Sequence, residues 1–166
     1  MKRIVIACDG TWNRLDARYP TNVAKLAQAV LPEGPDGVAQ VVCHLDGVGT
    51  GRGTGRVAQA TDRVLGGLIG EGLMATLEAA YRFLVFAYAP GDEVMLFGFS
   101  RGAFTARSLA GLIRNCGILE RAQAAAVPAA VALYRARTAA SGPDSEAART
   151  FRALHAAHVT TGAGEG

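Results

Sequence analysis

The segment EVMLFGFSRGAFTARSLAGLIRN, residues 93–115, is the most informative part of this 166-residue chain. Residues 93–97 form a short apolar run that is typical of a buried strand, and residues 103–115 have the apolar spacing of a helix. The pentapeptide GFSRG, residues 98–102, joins the two. A GxSxG turn between a strand and a helix is the pattern of a nucleophile elbow, in which a tight turn presents a serine hydroxyl at the end of a sheet.

The elbow pattern predicts that Ser100 is a nucleophile. Gly98 and Gly102 would be required because a side chain at either position would collide with the strand or the helix. The start of the following helix directs unpaired N–H groups toward a developing oxyanion. The chain has 4 serines beside its 21 glycines, so a chance match is rare, although a glycine-rich turn with an incidental serine stays open.

The rest of the chain repeats a strand–helix pattern, which predicts a single domain over residues 1–166. Alternation of this kind implies an α/β fold, with three α/β/α layers, a mostly parallel sheet and right-handed crossovers. After residue 120 the pattern predicts helices only. In chain order, the predicted elements other than those around the elbow are strand 2–8, helix 22–31, strand 39–45, a long helix around 68–88, and helices 122–137 and 146–158.

The loop that begins Asp9-Gly10-Thr11 follows the first predicted strand and is a second candidate part of the site. In the hydrolase topology the loop after this strand supplies one oxyanion N–H, so an amide near Gly10 or Thr11 is a candidate partner for the amide of Arg101. Asp9 could instead bind a metal, since a carboxylate at the end of a strand is well placed for one. A role in forming the turn stays equally open.

Two further features carry weaker signals. The loop Gly47–Gly55 could expose N–H groups to a phosphate, but it lacks the lysine of a P-loop, and a flexible loop beside the sheet edge is favoured. His44 is predicted to be a packed strand residue. His155 and His158 are predicted to lie on a solvated helix surface.

Composition excludes several classes of protein. Half the residues are hydrophobic and 19% are charged, which excludes a disordered chain. The net charge of +3 comes from scattered arginines, so no nucleic-acid partner is predicted. The three cysteines lack CxxC spacing, which predicts reduced thiols in a cytoplasm-like compartment. No signal peptide is visible, and no run reaches the roughly 20 apolar residues of a membrane helix, so a soluble protein is expected.

The segments CDGTWN (8–13), DGVGT (46–50) and GFSRGAFTARSLAG (98–111) resemble the catalytic domain of type VI secretion phospholipase effectors. The resemblance implies the N-terminal part of an α/β-hydrolase fold and a Ser-Asp-His triad. Ser100 would be its nucleophile, and Arg101 with the Gly10–Thr11 loop would line the oxyanion site. It implies a phospholipid or another carboxylic ester as substrate and no cofactor. An immunity protein or a secretion-apparatus protein would be a partner, and export would need no signal peptide.

The chain departs from the family pattern at several points. Cys8 stands where the family usually has phenylalanine, and the later segments that supply the acid and base of the triad are not found. We therefore expect a C-terminally incomplete member with weak or no activity. Asp144 with His155 or His158 satisfies the hydrolase chain order, but these residues are expected away from the sheet edge. A non-catalytic interaction module and a phosphate or nucleotide binder that uses Gly47–Gly55 are the alternative functions.

Overall fold

The computed structural model describes residues 1–10, 18–47, 66–136 and 138–157, without the side chains of residues 66–71. Within these ranges the chain forms three strands, five α-helices and two 3₁₀ turns, at Arg121–Ala126 and Ala139–Ser141. In chain order the strands and helices are β1 (Arg3–Cys8), α1 (Asn22–Ala29), β2 (Gln40–Leu45), α2 (Gly66–Ala87), β3 (Glu93–Gly98), α3 (Arg101–Cys116), α4 (Val127–Ala136) and α5 (Glu146–His155).

The three strands form an open parallel sheet in the order β2-β1-β3. The register places Cys8, the last residue of β1, opposite Leu45 of β2 and Gly98 of β3. The carboxyl ends of all three strands therefore lie at one edge of the sheet. The segments that follow them, which begin at Asp9, Asp46 and Phe99, start from that same edge.

The central strand β1 is buried on both faces of the sheet, which requires a helical layer on each side. Residues 4–8 are at most 2% exposed, as expected for a continuous apolar run between two helical layers. Ile4, Ile6 and Cys8 belong to the main core with residues of α2, α3 and α4. Val5 and Ala7 alternate to the opposite face, and α1 contacts β1 and β2 outside that core. The predicted three-layer α/β architecture is confirmed.

Local sequence signals account for the helix ends beside the sheet. The hydroxyl of Thr21 accepts a hydrogen bond from the amide of Ala24, which caps the start of α1. Gly117 follows α3 with φ 73° and ψ −167°, a conformation that glycine adopts readily because it has no β-carbon. The helix α3 begins at Arg101 rather than at residue 103, because the last elbow residues already form its first turn.

The C-terminal helices differ from their predicted bounds for identifiable reasons. The predicted helix 122–137 is divided into a 3₁₀ turn and α4, which starts at Val127. Pro128 has no N–H to bond the preceding turn, so it is tolerated in the first turn of a new helix but not inside a continuous one. The helix α5 ends at His155 because the next residue, Ala156, pairs with Leu119 in an antiparallel bridge.

Candidate active site

The turn between β3 and α3 holds Ser100 in an unusual backbone conformation. Its φ is 55° and its ψ is −123°, and it is the only non-glycine residue with positive φ in the described part of the chain. Such a conformation costs free energy in an L-amino acid and persists only when the surrounding structure enforces it. The Ser100 residue is exposed at the surface, directly before the first residue of α3.

The two elbow glycines show how the surrounding structure enforces this turn. A β-carbon at Gly98 would come within 2.5 Å of the carbonyl oxygen of Gly102. A β-carbon at Gly102 would come within 2.1 Å of the carbonyl oxygen of Cys8. The amide of Phe99 also donates a hydrogen bond to that Cys8 oxygen, at 3.2 Å. The end of β1 and the elbow are therefore in direct backbone contact, which leaves no room for a side chain.

The start of α3 offers one amide to a bound group. The amides of Gly102 and Ala103 donate to the carbonyls of Phe99 and Ser100, at 2.9 and 3.0 Å. The amide of Arg101 donates to no described residue. It lies immediately after Ser100 at the positive end of the helix dipole, where an oxyanion donor is expected.

The amide of Gly10, the other candidate donor, is already engaged. It donates to the Oδ1 atom of Asp9 at 2.7 Å. In this arrangement Gly10 cannot donate to an oxyanion at the same time. The remaining candidate from that loop, Thr11, lies outside the described residues.

The carboxylate of Asp9 lies at the carboxyl end of β1 and is fully buried, with 0% of the side chain exposed. Besides the amide of Gly10, it accepts a hydrogen bond from the hydroxyl of Thr21, whose oxygen lies 2.9 and 2.8 Å from the two carboxylate oxygens. The Nε2 atom of His44 lies 3.3 Å from Oδ2. Three groups of the described residues therefore surround the carboxylate. Within the described ranges, no cluster of three or more His, Cys, Asp or Glu residues is arranged to hold a metal ion.

His44 is a packed residue of β2, as the sequence predicts, but its contacts with two carboxylates were not predicted. Its ring is only 8% exposed, with Nε2 toward Asp9 and Nδ1 at 3.5 Å from Oδ1 of Asp46. Both ring nitrogens face carboxylates, so neither is directed at Ser100. The available signal was the pair of polar residues His44 and Asp46 at the end of a parallel strand, since strand ends meet at one edge.

The histidine of α5 lies far from the elbow. The Nδ1 atom of His155 is 3.1 Å from the Oε1 atom of Gln123. Its helix is attached to the opposite end of α3, where Arg152 donates to the carbonyl of Asn115 at 2.7 Å. The 16 residues of α3 separate that end from Ser100, which corresponds to about 24 Å. The structure thus keeps His155 away from Ser100, as the sequence reasoning expected.

The other candidate residues lie either at the exposed surface or outside the described part of the chain. Asp144 is an exposed turn residue beside α5, so it shares the distant location of that helix. A cavity of about 790 Å³ also lies there, lined by α5 and residues before it, and it includes no residue of the elbow. His158 and residues 48–55 of the glycine-rich loop lie outside the described residues.

None of the helices described here is both long and apolar enough to cross a membrane. The uncharacterized protein YEL023C of Saccharomyces cerevisiae is 34% identical over 128 residues, which cover 72% of this chain. The chain spans only 18% of the length of that relative. No solved structure is significantly similar to the chain.

The family match extends over nearly the whole sequence. Residues 2–163 match the family model described as "T6SS, Phospholipase effector Tle1-like, catalytic domain". The match includes the elbow, the Asp9 loop and all three strands. Together with the α/β fold, it shows that the chain belongs to the Tle1-like catalytic domain family of type VI secretion phospholipase effectors.

Proposed function

We propose that this chain carries the nucleophile of a serine hydrolase that cleaves carboxylic esters of phospholipids. The observation that carries the proposal is the strained backbone of Ser100, with φ 55°, in a residue that is exposed at the start of α3. A strained residue at the surface is a frequent property of functional sites. The lipase type and the lipid substrate class follow from the phospholipase effector family.

The reaction would proceed through an acyl-enzyme. The Oγ atom of Ser100 bonds to the ester carbonyl carbon and gives its proton to a base, and the carbonyl oxygen becomes an oxyanion. The amide of Arg101 is placed to stabilise that oxyanion. The alcohol then leaves with a proton, and water attacks the acyl group to release the acid and restore the serine.

The base of this reaction is proposed to come from residues that are not described here. The hydroxyl of Ser100 forms no hydrogen bond with a described side chain, while His44 and His155 are engaged by other groups. A serine without a base is a weak nucleophile at neutral pH. Loss of a triad base lowers the rate by roughly 10⁴-fold or more. The chain is therefore proposed to be weakly active unless that base is supplied.

The biological setting is part of the same proposal. The family is one of effectors of the type VI secretion system, which supports export by that apparatus and a lipid target. An immunity protein that blocks the site would be the corresponding partner.

A fluorophosphonate probe tests the nucleophile directly. The purified protein is incubated with the probe and the modified peptide is identified by mass spectrometry. We expect slow labelling of Ser100 in the wild type, in keeping with the weak activity proposed above, and no label in Ser100→Ala. The matched control is Ser108→Ala, which removes a buried serine of α3, the helix that follows Ser100. This variant should label like the wild type.

Two outcomes would reject the proposal. One is the absence of any label on Ser100 in folded protein, which would favour a non-catalytic interaction module. The other is labelling that persists at a different residue in Ser100→Ala.

A further inference from the structure

We infer that Asp9, held by His44 and Thr21, is a positioning residue for the nucleophile elbow and acts through the backbone contact between the end of β1 and Gly102. The inference rests on the proposed function, because it assigns these residues to a reaction in which Ser100 is the nucleophile. It concerns a buried network that adjoins the elbow through the backbone at the end of β1. Its side chains are proposed to act on the position of Ser100 and not to touch the substrate.

The first step is the set of hydrogen bonds that described residues form with Asp9. A fully buried carboxylate is tolerated when donors surround it, and the donors among the described residues come from three different places. They are the amide of Gly10 in the next loop, the hydroxyl of Thr21 at the start of α1, and the ring of His44 in β2. The carboxylate therefore fixes the end of β1 relative to both α1 and β2.

The second step is the absence of free space between that strand end and the elbow. The carbonyl oxygens of Cys8 and Asp9 lie 2.1 and 2.6 Å from the point that a β-carbon of Gly102 would occupy. Phe99 on the other side of Ser100 is hydrogen-bonded to the same Cys8 oxygen. A displacement of the Cys8–Asp9 backbone must therefore move the residues on both sides of the nucleophile.

The third step is a comparison with a second buried carboxylate, Asp92. Its side chain is 2% exposed, and it accepts hydrogen bonds from the amides of Lys2 and Ala89 and from the Lys2 ammonium group. Asp92 lies at the amino ends of β1 and β3, at the opposite edge of the sheet from Ser100. The two carboxylates have similar burial, but only Asp9 adjoins the elbow, which makes Asp92 a matched control.

The first test compares labelling and turnover in variants of the two networks. Asp9→Asn and His44→Leu should slow fluorophosphonate labelling of Ser100, and kcat for a soluble ester, by about 10- to 100-fold with little change in KM, because misplacement by about 1 Å can have this effect. His44→Gln should recover most of the rate, since its side-chain amide can still donate to Asp9. Asp92→Asn should label at the wild-type rate despite its lower stability.

The second test does not depend on activity. The backbone amide signals of Arg101 and Gly102 in ¹⁵N NMR spectra should shift in Asp9→Asn and stay in place in Asp92→Asn. Unchanged amide signals in Asp9→Asn, or labelling equally slow in Asp92→Asn, would overturn the inference. Failure of the wild type to label at Ser100 would reject the proposed function instead, and the amide signals would still decide whether Asp9 positions the elbow.

Discussion

Gly102, in the first turn of α3, lies so close to Cys8 that a β-carbon there would come within 2.1 Å of the Cys8 carbonyl oxygen. The contact joins the central strand of the sheet to the turn that carries Ser100. Neither side of this contact is a flexible side chain, so it cannot adjust without moving backbone. This relationship couples the geometry of the candidate nucleophile to the position of β1.

The first prediction concerns Gly102→Ala, which inserts a methyl group into that contact. We expect the free energy of unfolding in urea to fall by about 1–3 kcal/mol, the range for overpacking of a close-packed interior. The control is Gly142→Ala, where the nearest atom is 3.8 Å from the added carbon and φ is −68°. Equal stability of the two variants would contradict the contact described here.

The second prediction concerns the backbone strain at Ser100. Replacing it by glycine removes the steric cost of a positive φ, so Ser100→Gly should raise the free energy of unfolding by about 1 kcal/mol. Ser100→Ala keeps a β-carbon in the same conformation and should have wild-type stability. Both variants should lose fluorophosphonate labelling. A glycine variant no more stable than the alanine variant in urea would disprove the strain.

The third prediction concerns the pH dependence of stability at Asp92. Burial by itself would raise the pKa of this carboxyl, but hydrogen bonds from Lys2 and Ala89 outweigh burial and hold the pKa below its usual 3.8. Because the pKa is lower in the folded state, the ionised group stabilises the fold above pH 3.8. That contribution disappears as the pH falls through the folded-state pKa.

Asp92→Asn should therefore lower the free energy of unfolding by about 2 kcal/mol at pH 7. The difference between wild type and variant should shrink when urea unfolding is repeated below pH 3.8. A difference that stays constant from pH 7 to pH 3 would be inconsistent with an ionised, hydrogen-bonded Asp92.

The fourth prediction concerns the reactivity of the three cysteines. Burial raises the pKa of the Cys8 thiol to about 12, with a smaller contribution from Cys43, and burial raises that of Cys116 to about 11. Burial also raises the pKa of Cys43, but this residue is only half-buried, whereas Cys8 and Cys116 are at most 1% exposed. Iodoacetamide at pH 7 should therefore modify Cys43 first in folded protein, and the other two only after unfolding. Mass mapping with and without denaturant checks the order, which early modification of Cys8 would refute.

Local patterns in the sequence were enough to predict the strands, most helix ends and the elbow. The apolar run of β1, the cap at Thr21 and the glycine after α3 act over a few residues, where steric and hydrogen-bonding preferences are strong. The predicted helix 122–137 differs from the structure because Pro128 cannot continue a helix from the preceding turn, so a new helix starts at Val127.

The elbow and the network around Asp9 show what the sequence alone determines and what requires the tertiary structure. The sequence alone predicted the elbow at GFSRG, because the two glycines and the serine are close neighbours in the chain. The contact with Cys8 that enforces the strained conformation of Ser100 exists only in the folded structure. The sequence could not specify that His44 contacts Asp9, since 35 residues separate them and the contact arises from the pairing of β2 with β1. The register of that pairing, the packing of α1 on the sheet and the burial of Asp9 exist only when the strands are assembled. For this reason His44, which the sequence indicates only as a packed strand residue, is part of the network that we propose positions Ser100.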